Sequence, residues 1–405
     1  MQSYTGNKRP SWIQVIAICL AVAAVSILAT NYVLASRYQA QPATTETSAG
    51  DYSKLEEIRN LVDAYYVGEY EEKDLLDMLA VGFMYGINDP WSYYTAAEDM
   101  EDLYEYKSGS YAGIGVTVTP DAETGLLQVI EVAEGSPAAE AGIRCFDYLY
   151  TVEGESVAIL GMDAAVAKVR GEPGTTVNIE ILRDDLVIPM TVERRNVDKT
   201  RVTAELIDGE IGYIRVSQFT TTSPEQFTEK LATLKKIGAK SFIIDMRNNP
   251  GGRLYAMYQM LDELMPEGEI FVERDKAGNE NRLRVDNVYY DEPVIVLVNE
   301  YSISAAEYFA AVMQERGRAV IVGAPTTGKG MAQQTFELSD GSSVSFSVLK
   351  YYTPNGVNIG EQGGIQPDMA VEMTYEQTVA IGSVEYSEDP QIVAAVGYMK
   401  EYMNR

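Results

Sequence analysis

Two serines, one lysine and a pair of glycines are the residues of this chain whose types and placement suit acyl transfer. Ser304 ends the run Asn299-Glu300-Tyr301-Ser302-Ile303-Ser304 and precedes a segment, Ala305 to Arg316, that reads as a helix. A hydroxyl at a helix start meets free N–H groups and the positive end of the dipole, and both favour a developing alkoxide. An N-cap serine looks the same in sequence, and Ser302 competes for either role. Lys329 stands between Gly328 and Gly330, odd for a surface lysine but ordinary where backbone packs closely. To serve as a general base it must be neutral near pH 7, so an apolar pocket has to bring its pKa down from about 10.4 by several units. Ala324, Pro325, Met331 and Ala332 are suitable neighbours, and Gln333 can hold the amine by a hydrogen bond without adding charge. Gly251 or Gly252, in Asn248-Asn249-Pro250-Gly251-Gly252, can give one half of an oxyanion hole, with the Ala305 N–H as the other half. The same glycine run is turn chemistry in any context.

Composition removes competing chemistries. The 405 residues include no histidine. That excludes a Ser-His-Asp triad, a Cys-His dyad and imidazole metal ligands, and leaves proton transfer to Lys, Tyr, Asp or Glu. No metal or cofactor is expected. A formal charge of −28, from 60 acidic and 32 basic residues, repels a phosphate backbone, so no nucleic-acid partner is expected. Cys19 and Cys145 are too few for a disulfide framework, and Cys145 reads as a packing residue. Gly323-Ala324-Pro325-Thr326-Thr327-Gly328-Lys329 fits the start of a phosphate-binding loop. Gly330, however, stands where the Mg²⁺-binding hydroxyl belongs, and strand-like alternation follows in place of a helix. Gly113-Ile114-Gly115 likewise lacks the third glycine of a dinucleotide fingerprint.

Positioning these groups requires several folded units. Residues 1–10 read as a cytoplasmic tail and 11–35 as a transmembrane anchor, since Ser11 to Ala35 carries no charge and Lys8 and Arg9 precede it. A cleaved signal peptide ending at Val33-Leu34-Ala35 is the alternative. Residues 36–50 form a polar linker, and 51–108 a helical segment with Leu55, Ile58, Val62 and Tyr65 at helical spacing. From 109 to 195 short strands and glycine turns make a β-rich module, and 376–405 is a second helical segment. Residues 196–375 alternate strand and helix, which predicts an α/β core with parallel pairing. Ser223-Pro224-Glu225-Gln226 opens a helix there, with Gln226 in the capping-box position. Strands over 241–246, 294–298 and 319–322 are each followed by one of the three loops that carry Gly251, Ser304 and Lys329. Parallel strands put those loops on one sheet edge.

The residues resemble the C-terminal processing peptidases over about 51–395. The most specific stretch is Ser302-Ile303-Ser304-Ala305-Ala306-Glu307, then Gly317 to Gly323, then Thr327-Gly328-Lys329-Gly330-Met331-Ala332-Gln333. In that family the second serine is the nucleophile, a lysine 25 residues on is the base, and a glutamine follows four residues later; Ser304, Lys329 and Gln333 keep that spacing. Asp245 to Gly252, Tyr351-Tyr352-Thr353-Pro354-Asn355-Gly356, Gly364 to Asp368 and Asp89-Pro90-Trp91-Ser92-Tyr93-Tyr94 are further matches. Residues 109–195 are similar to the family's PDZ domain. The resemblance implies that Gly113-Ile114-Gly115-Val116 receives a peptide C-terminus through N–H groups while the peptide adds to a strand edge. It also implies that Arg170 communicates between PDZ domain and protease. Arg144-Cys145-Phe146-Asp147 departs from the usual Lys-Pro-Gly-Asp turn, Gly356-Val357-Asn358 from a common Gly-Arg-Ser, and Ala306 from a frequent third serine. What the resemblance implies is an anchored, extracytoplasmic Ser-Lys endopeptidase that trims proteins near their C-termini, from a family in which dimers occur. A catalytically dead PDZ receptor for C-termini is the rival reading.

Overall fold

The computed structural model describes residues 52–133 and 135–404. The chain divides into two units, 1–71 and 72–405. Of the first unit the described part holds one helix, Ser53–Tyr65, on which Leu55, Ile58 and Tyr65 are exposed. The tail, the apolar run 11–35 and the linker 36–50 lie outside the described residues. Among the described residues no helix is long and apolar enough to cross a membrane.

In the second unit a six-stranded sheet runs in the order Val202–Ile207, Ile211–Val216, Ser241–Asp245, Val294–Val298, Ala319–Gly323, Met369–Ala370. The first pair is antiparallel and the other four are parallel. Ser241–Asp245 and Val294–Val298 are buried along their whole length, as continuous apolar runs covered on both faces must be. Helices Ser223–Lys236, Leu254–Asp262 and Ala305–Glu315 cover one face, through Phe227, Leu231, Met257 and Phe309. The C-terminal helix Pro390–Met403 covers the other, packing Ile392, Ala395 and Met399 on Ile243, Ile295 and Leu297. Each buried Phe, Leu, Ile or Met among them contributes about 1.5–3 kcal/mol. Gln226 does not close a capping box. Its Oε1 accepts from Arg201 N and Val202 N, and its Nε2 donates to Lys199 O.

A second, five-stranded sheet has no signature in the sequence as a unit. Ser343–Tyr352 pairs with Met331–Glu337, Gly268–Asp275 and Tyr93–Thr95, and Glu280–Val285 lies beyond Gly268–Asp275. The expected all-helical segment 51–108 is therefore interrupted: Tyr93 to Thr95 pair antiparallel with Ser345 to Ser343. A three-residue strand carries too little period-2 pattern to be seen in sequence.

The β-rich module is a six-stranded antiparallel sheet with Val116–Pro120 at its edge, plus helices Pro137–Glu140 and Val157–Val169, the latter broken at Gly161. Cys145 is exposed, not packed inside. Phe146 next to it adopts φ 72° at the position where the resembling turn has glycine, so the departure leaves a large side chain in a left-handed conformation. Asp147 in the same turn is buried and paired with Arg183 at 2.6 Å.

Candidate active site

Three loops meet at the C-terminal edge of the parallel sheet, and asparagines knit two of them together. Asn299 Nδ2 donates to Asn248 Oδ1 at 2.7 Å, while Asn299 Oδ1 accepts from Asn248 N at 3.0 Å. Asn249 O accepts from Ile303 N at 2.9 Å. Ser302 is fully buried in this seam, accepting from Asn299 N and donating to Met246 O at 2.8 Å. Both its bonding capacities are spent on backbone, which leaves Ser304 as the candidate nucleophile.

Ser304 sits at φ 59°, ψ −116°, immediately before helix Ala305–Glu315. A non-glycine residue held there costs about 1–3 kcal/mol of strain, persisting only where its surroundings enforce it. Glu307 enforces it. This fully buried carboxylate accepts from Ser304 N at 2.8 Å, and also from Thr326 Oγ1, Gly328 N and Lys329 N at 2.6, 2.6 and 2.9 Å. One side chain thus fixes the serine loop and the lysine loop against each other. Gly328 and Gly330 flank the lysine because of packing. A Cβ at Gly328 would lie 2.8 Å from Gly364 N, and one at Gly330 would lie 2.3 Å from Asn358 Oδ1.

The Ser304 hydroxyl and the Lys329 amine each rest against an aromatic side chain, and no hydrogen bond joins them. Ser304 Oγ lies 3.1 Å from Tyr351 Oη. Tyr351 donates its one proton to Lys329 O, so the Ser304 hydroxyl is the donor in that contact. Burial pushes the Tyr351 phenol well above its ordinary range, so it keeps its proton. Lys329 Nζ lies over the Trp91 ring, 4.8 Å from the centroid. Desolvation lowers the Lys329 pKa, against smaller opposing effects of Asp89 and Glu307. Gln333 does not hold the amine. Its Nε2 donates to Met331 O at 3.2 Å and Ser347 Oγ at 2.9 Å. A register shift between Ala332 and Gln333 sets Gln333 opposite Ser347, an irregularity that counting along the chain cannot reveal.

The glycine loop packs directly on the serine. A Cβ at Gly251 would lie 2.9 Å from Ser304 Cβ and 3.1 Å from Ala305 N. Gly251 N already donates to Asn249 Oδ1 at 2.8 Å, so Gly252 N is the donor left on that loop. Gly252 has φ 134°, and its Cβ would fall 2.0 Å from Phe219 O, which excludes every other residue. Trp91, Glu307 and Tyr351 lay inside motifs quoted above without a role. The five-stranded sheet, which brings Trp91 and Tyr351 to the site, had to be known first.

In the β-rich module, Ile114 O and Gly115 O accept from Ala138 N and Ala133 N. A trans peptide then turns the N–H groups of Gly115 and Val116 the other way, toward a groove of about 410 Å³ between Val116–Pro120 and Val157–Val169. Gly113 is taken up by pairing with Arg195. Arg170 lines the same groove and pairs with Glu105 at 3.3 Å and Asp102 at 3.8 Å, on helix Met100–Ser108. Among the described residues no group of His, Cys, Asp or Glu is placed to hold a metal.

Two family profiles match the chain. The profile of Peptidase family S41 matches residues 210–371, and that of the PDZ domain residues 128–183. A carboxyl-terminal-processing protease of Synechocystis sp. is 32% identical over 76% of this chain and 73% of its own length. The carboxy-terminal processing protease CtpA of Bacillus subtilis is 30% identical over 88% of this chain and 76% of its own. Among solved structures, the photosystem II D1 C-terminal processing protease is similar at a TM-score of 0.46 and 25% identity, over 80% of this chain and 87% of that one. With a PDZ module, an S41 core and relatives of this identity and coverage, the chain belongs to peptidase family S41 as a serine protease of the carboxyl-terminal-processing group.

Proposed function

We propose that the protein is a membrane-anchored, extracytoplasmic endopeptidase that cleaves protein substrates near their C-termini through a Ser304–Lys329 dyad. The observation that carries the reading is Glu307, which binds the backbone N–H groups of both dyad residues and so makes their two loops one site. For reaction, Ser304 Oγ turns from Tyr351 to Lys329, and the neutral amine takes its proton as Oγ attacks the scissile carbonyl. Gly252 N–H and Ala305 N–H stabilise the oxyanion. Lys329 returns the proton to the leaving amine, and water then resolves the acyl-enzyme with the same lysine as base. The PDZ groove captures the substrate C-terminus on the open edge of Val116–Pro120 or gates the site through Arg170, residues 11–35 anchor the chain, and self-association is an additional expectation. Incubation with a denatured protein and mapping of the new C-termini tests the reading. Cuts clustered near the original end are expected; a PDZ receptor without activity would leave the substrate whole.

Trp91 makes a separate prediction. The ring face favours the ammonium form of Lys329, while the same enclosure disfavours it. Trp91→Leu keeps the enclosure and removes the π face, so the lysine pKa falls further. The rising limb of the pH–rate profile is expected to move to lower pH by roughly half to one unit. A move to higher pH would show that the ring does not stabilise the cation.

A further inference from the structure

The groove of the PDZ module is lined by apolar Leu127, Leu149, Ala165 and Val166, and its lining also carries three cations: Arg170, Lys199 and Arg201. Arg170 is matched by Glu105 and Asp102. The other two have no carboxylate partner among the described residues. Lys199 Nζ stands 5.4 Å from the Tyr111 ring centroid, and Arg201 Nε is buried without a hydrogen-bond partner. Glu131 and Asp198 line the same groove, and neither forms an ion pair with Lys199 or Arg201. In a chain with 60 acidic and 32 basic residues, a guanidinium left without a carboxylate is not explained by a shortage of acids. Arg201 as a whole is half-buried, but its Nε is shut away from water unpaired, which is costly, and an incoming anion would reduce that cost.

Arg201 is held by the protease core, and Lys199 bridges it to the PDZ module, with its N donating to Gly109 O at 2.8 Å and its Nζ over Tyr111. Gln226, on the core helix Ser223–Lys236, accepts from Arg201 N at 2.8 Å and Val202 N at 3.1 Å and donates to Lys199 O at 3.1 Å. Arg201 O accepts from Ser217 N at 2.9 Å, and Val202 begins the first strand of the core sheet. The segment is therefore pre-positioned, as a recognition element has to be. Gly115 and Val116 line the same groove.

We propose that Arg201, with Lys199 beside it, is a carboxylate-binding site that the protease core contributes to the PDZ groove, and that its ligand is the free C-terminal carboxylate of the bound polypeptide. A bound chain end then spans both modules: its last strand lies on Val116–Pro120 and its terminal charge on the core. This rests on the reading that the groove takes C-termini.

The test uses the full chain in detergent, carrying Ser304→Ala so that the probe is not cut. The probes are fluorescein-labelled decapeptides ending in three apolar residues, one a free acid and one C-terminally amidated, read by anisotropy. The parent is expected to bind the free acid about tenfold or more tighter than the amide, as a charge-assisted hydrogen bond implies. Arg201→Met is expected to lose about that factor for the acid and nothing for the amide, and Lys199→Met a smaller part of it. Equal losses for both peptides, or no loss for either, would overturn the assignment. An effect that appears instead with an amidated peptide carrying a penultimate Glu would move the ligand to a side chain and overturn it as well. A parent that does not distinguish acid from amide would remove the C-terminal reading itself, and this proposal with it. Should Arg201→Met melt early, Arg201→Lys, expected to keep part of the acid preference, and Lys199→Met decide the matter.

Discussion

Ser304→Ala and Lys329→Met are each expected to reduce turnover of a denatured protein substrate by about 10⁴-fold or more, and the double variant is expected to be no worse than either alone. The non-additivity follows from the chemistry. A base without its nucleophile has no proton to take, and a nucleophile without its base stays a neutral hydroxyl. Neither replacement should unfold the chain. Ser304→Ala gives up one hydrogen bond, to Tyr351, worth about 1 kcal/mol. Lys329→Met keeps the aliphatic stem that packs beside Trp91. Nearly unchanged melting of both variants, measured with the loss of cleavage, separates a chemical role from a structural one. Activity of the parent should also climb as pH rises, because the desolvated Lys329 must shed a proton before it can accept one. Turnover independent of pH through the alkaline range would remove lysine as the base.

The second large effect concerns stability. Arg247 is fully buried one residue before Asn248. Its Nε and Nη2 donate to Asp245 at 2.9 and 2.6 Å, and its Nη1 to Asp389 Oδ1 at 2.9 Å and Gln391 Oε1 at 3.0 Å. Asp389 in turn caps the helix Pro390–Met403 by accepting from Gln391 N and Ile392 N. Tyr213 donates to Asp245 at 2.6 Å, completing the network. Arg247→Met would leave two carboxylates buried without their cation. The expected loss is about 3–5 kcal/mol in a denaturant titration, the usual cost of breaking a buried pair from one side. Asp389→Asn, which keeps a capping oxygen, should lose less. Burial alone would push Asp245 up, yet the Arg247 guanidinium outweighs it and holds the carboxyl below its ordinary value. A depressed folded pKa contributes stability that is complete above the unfolded value of about 3.9 and fades as pH falls below it. The parent should therefore weaken in acid more steeply than Arg247→Met. Equal stability of parent and variant at pH 7 would refute this account.

The parallel core was legible because its strands are continuous apolar runs such as Val294–Val298, each ending in a loop with distinctive chemistry. Ser302 and Ser304 could not be told apart by local pattern, since both precede the same helix. The family's 25-residue spacing to Lys329 favours Ser304, and the contact of Ser302 with Met246 O, 56 residues away, supplies the physical reason. Tyr351 and Trp91 reach the site through a sheet assembled from two hairpins and the remote strand Tyr93–Thr95, and Gln333 is redirected by a one-residue register shift. Long-range pairing and bulges leave no periodic trace. Glu307 lies three residues after Ser304, the spacing of a capping box, which accounts for its bond to Ser304 N, while nothing local marked its three bonds to the lysine loop.

That four-way carboxylate also sets a rule for anyone building hybrids of this protein with its relatives. The segments around 304 and 329 share one anchor, so transplanting 326–330 alone into a recipient without a carboxylate at the 307 position would leave orphan amide protons, whereas moving 299–307 and 326–330 together as a cassette would carry the anchor and its guests intact.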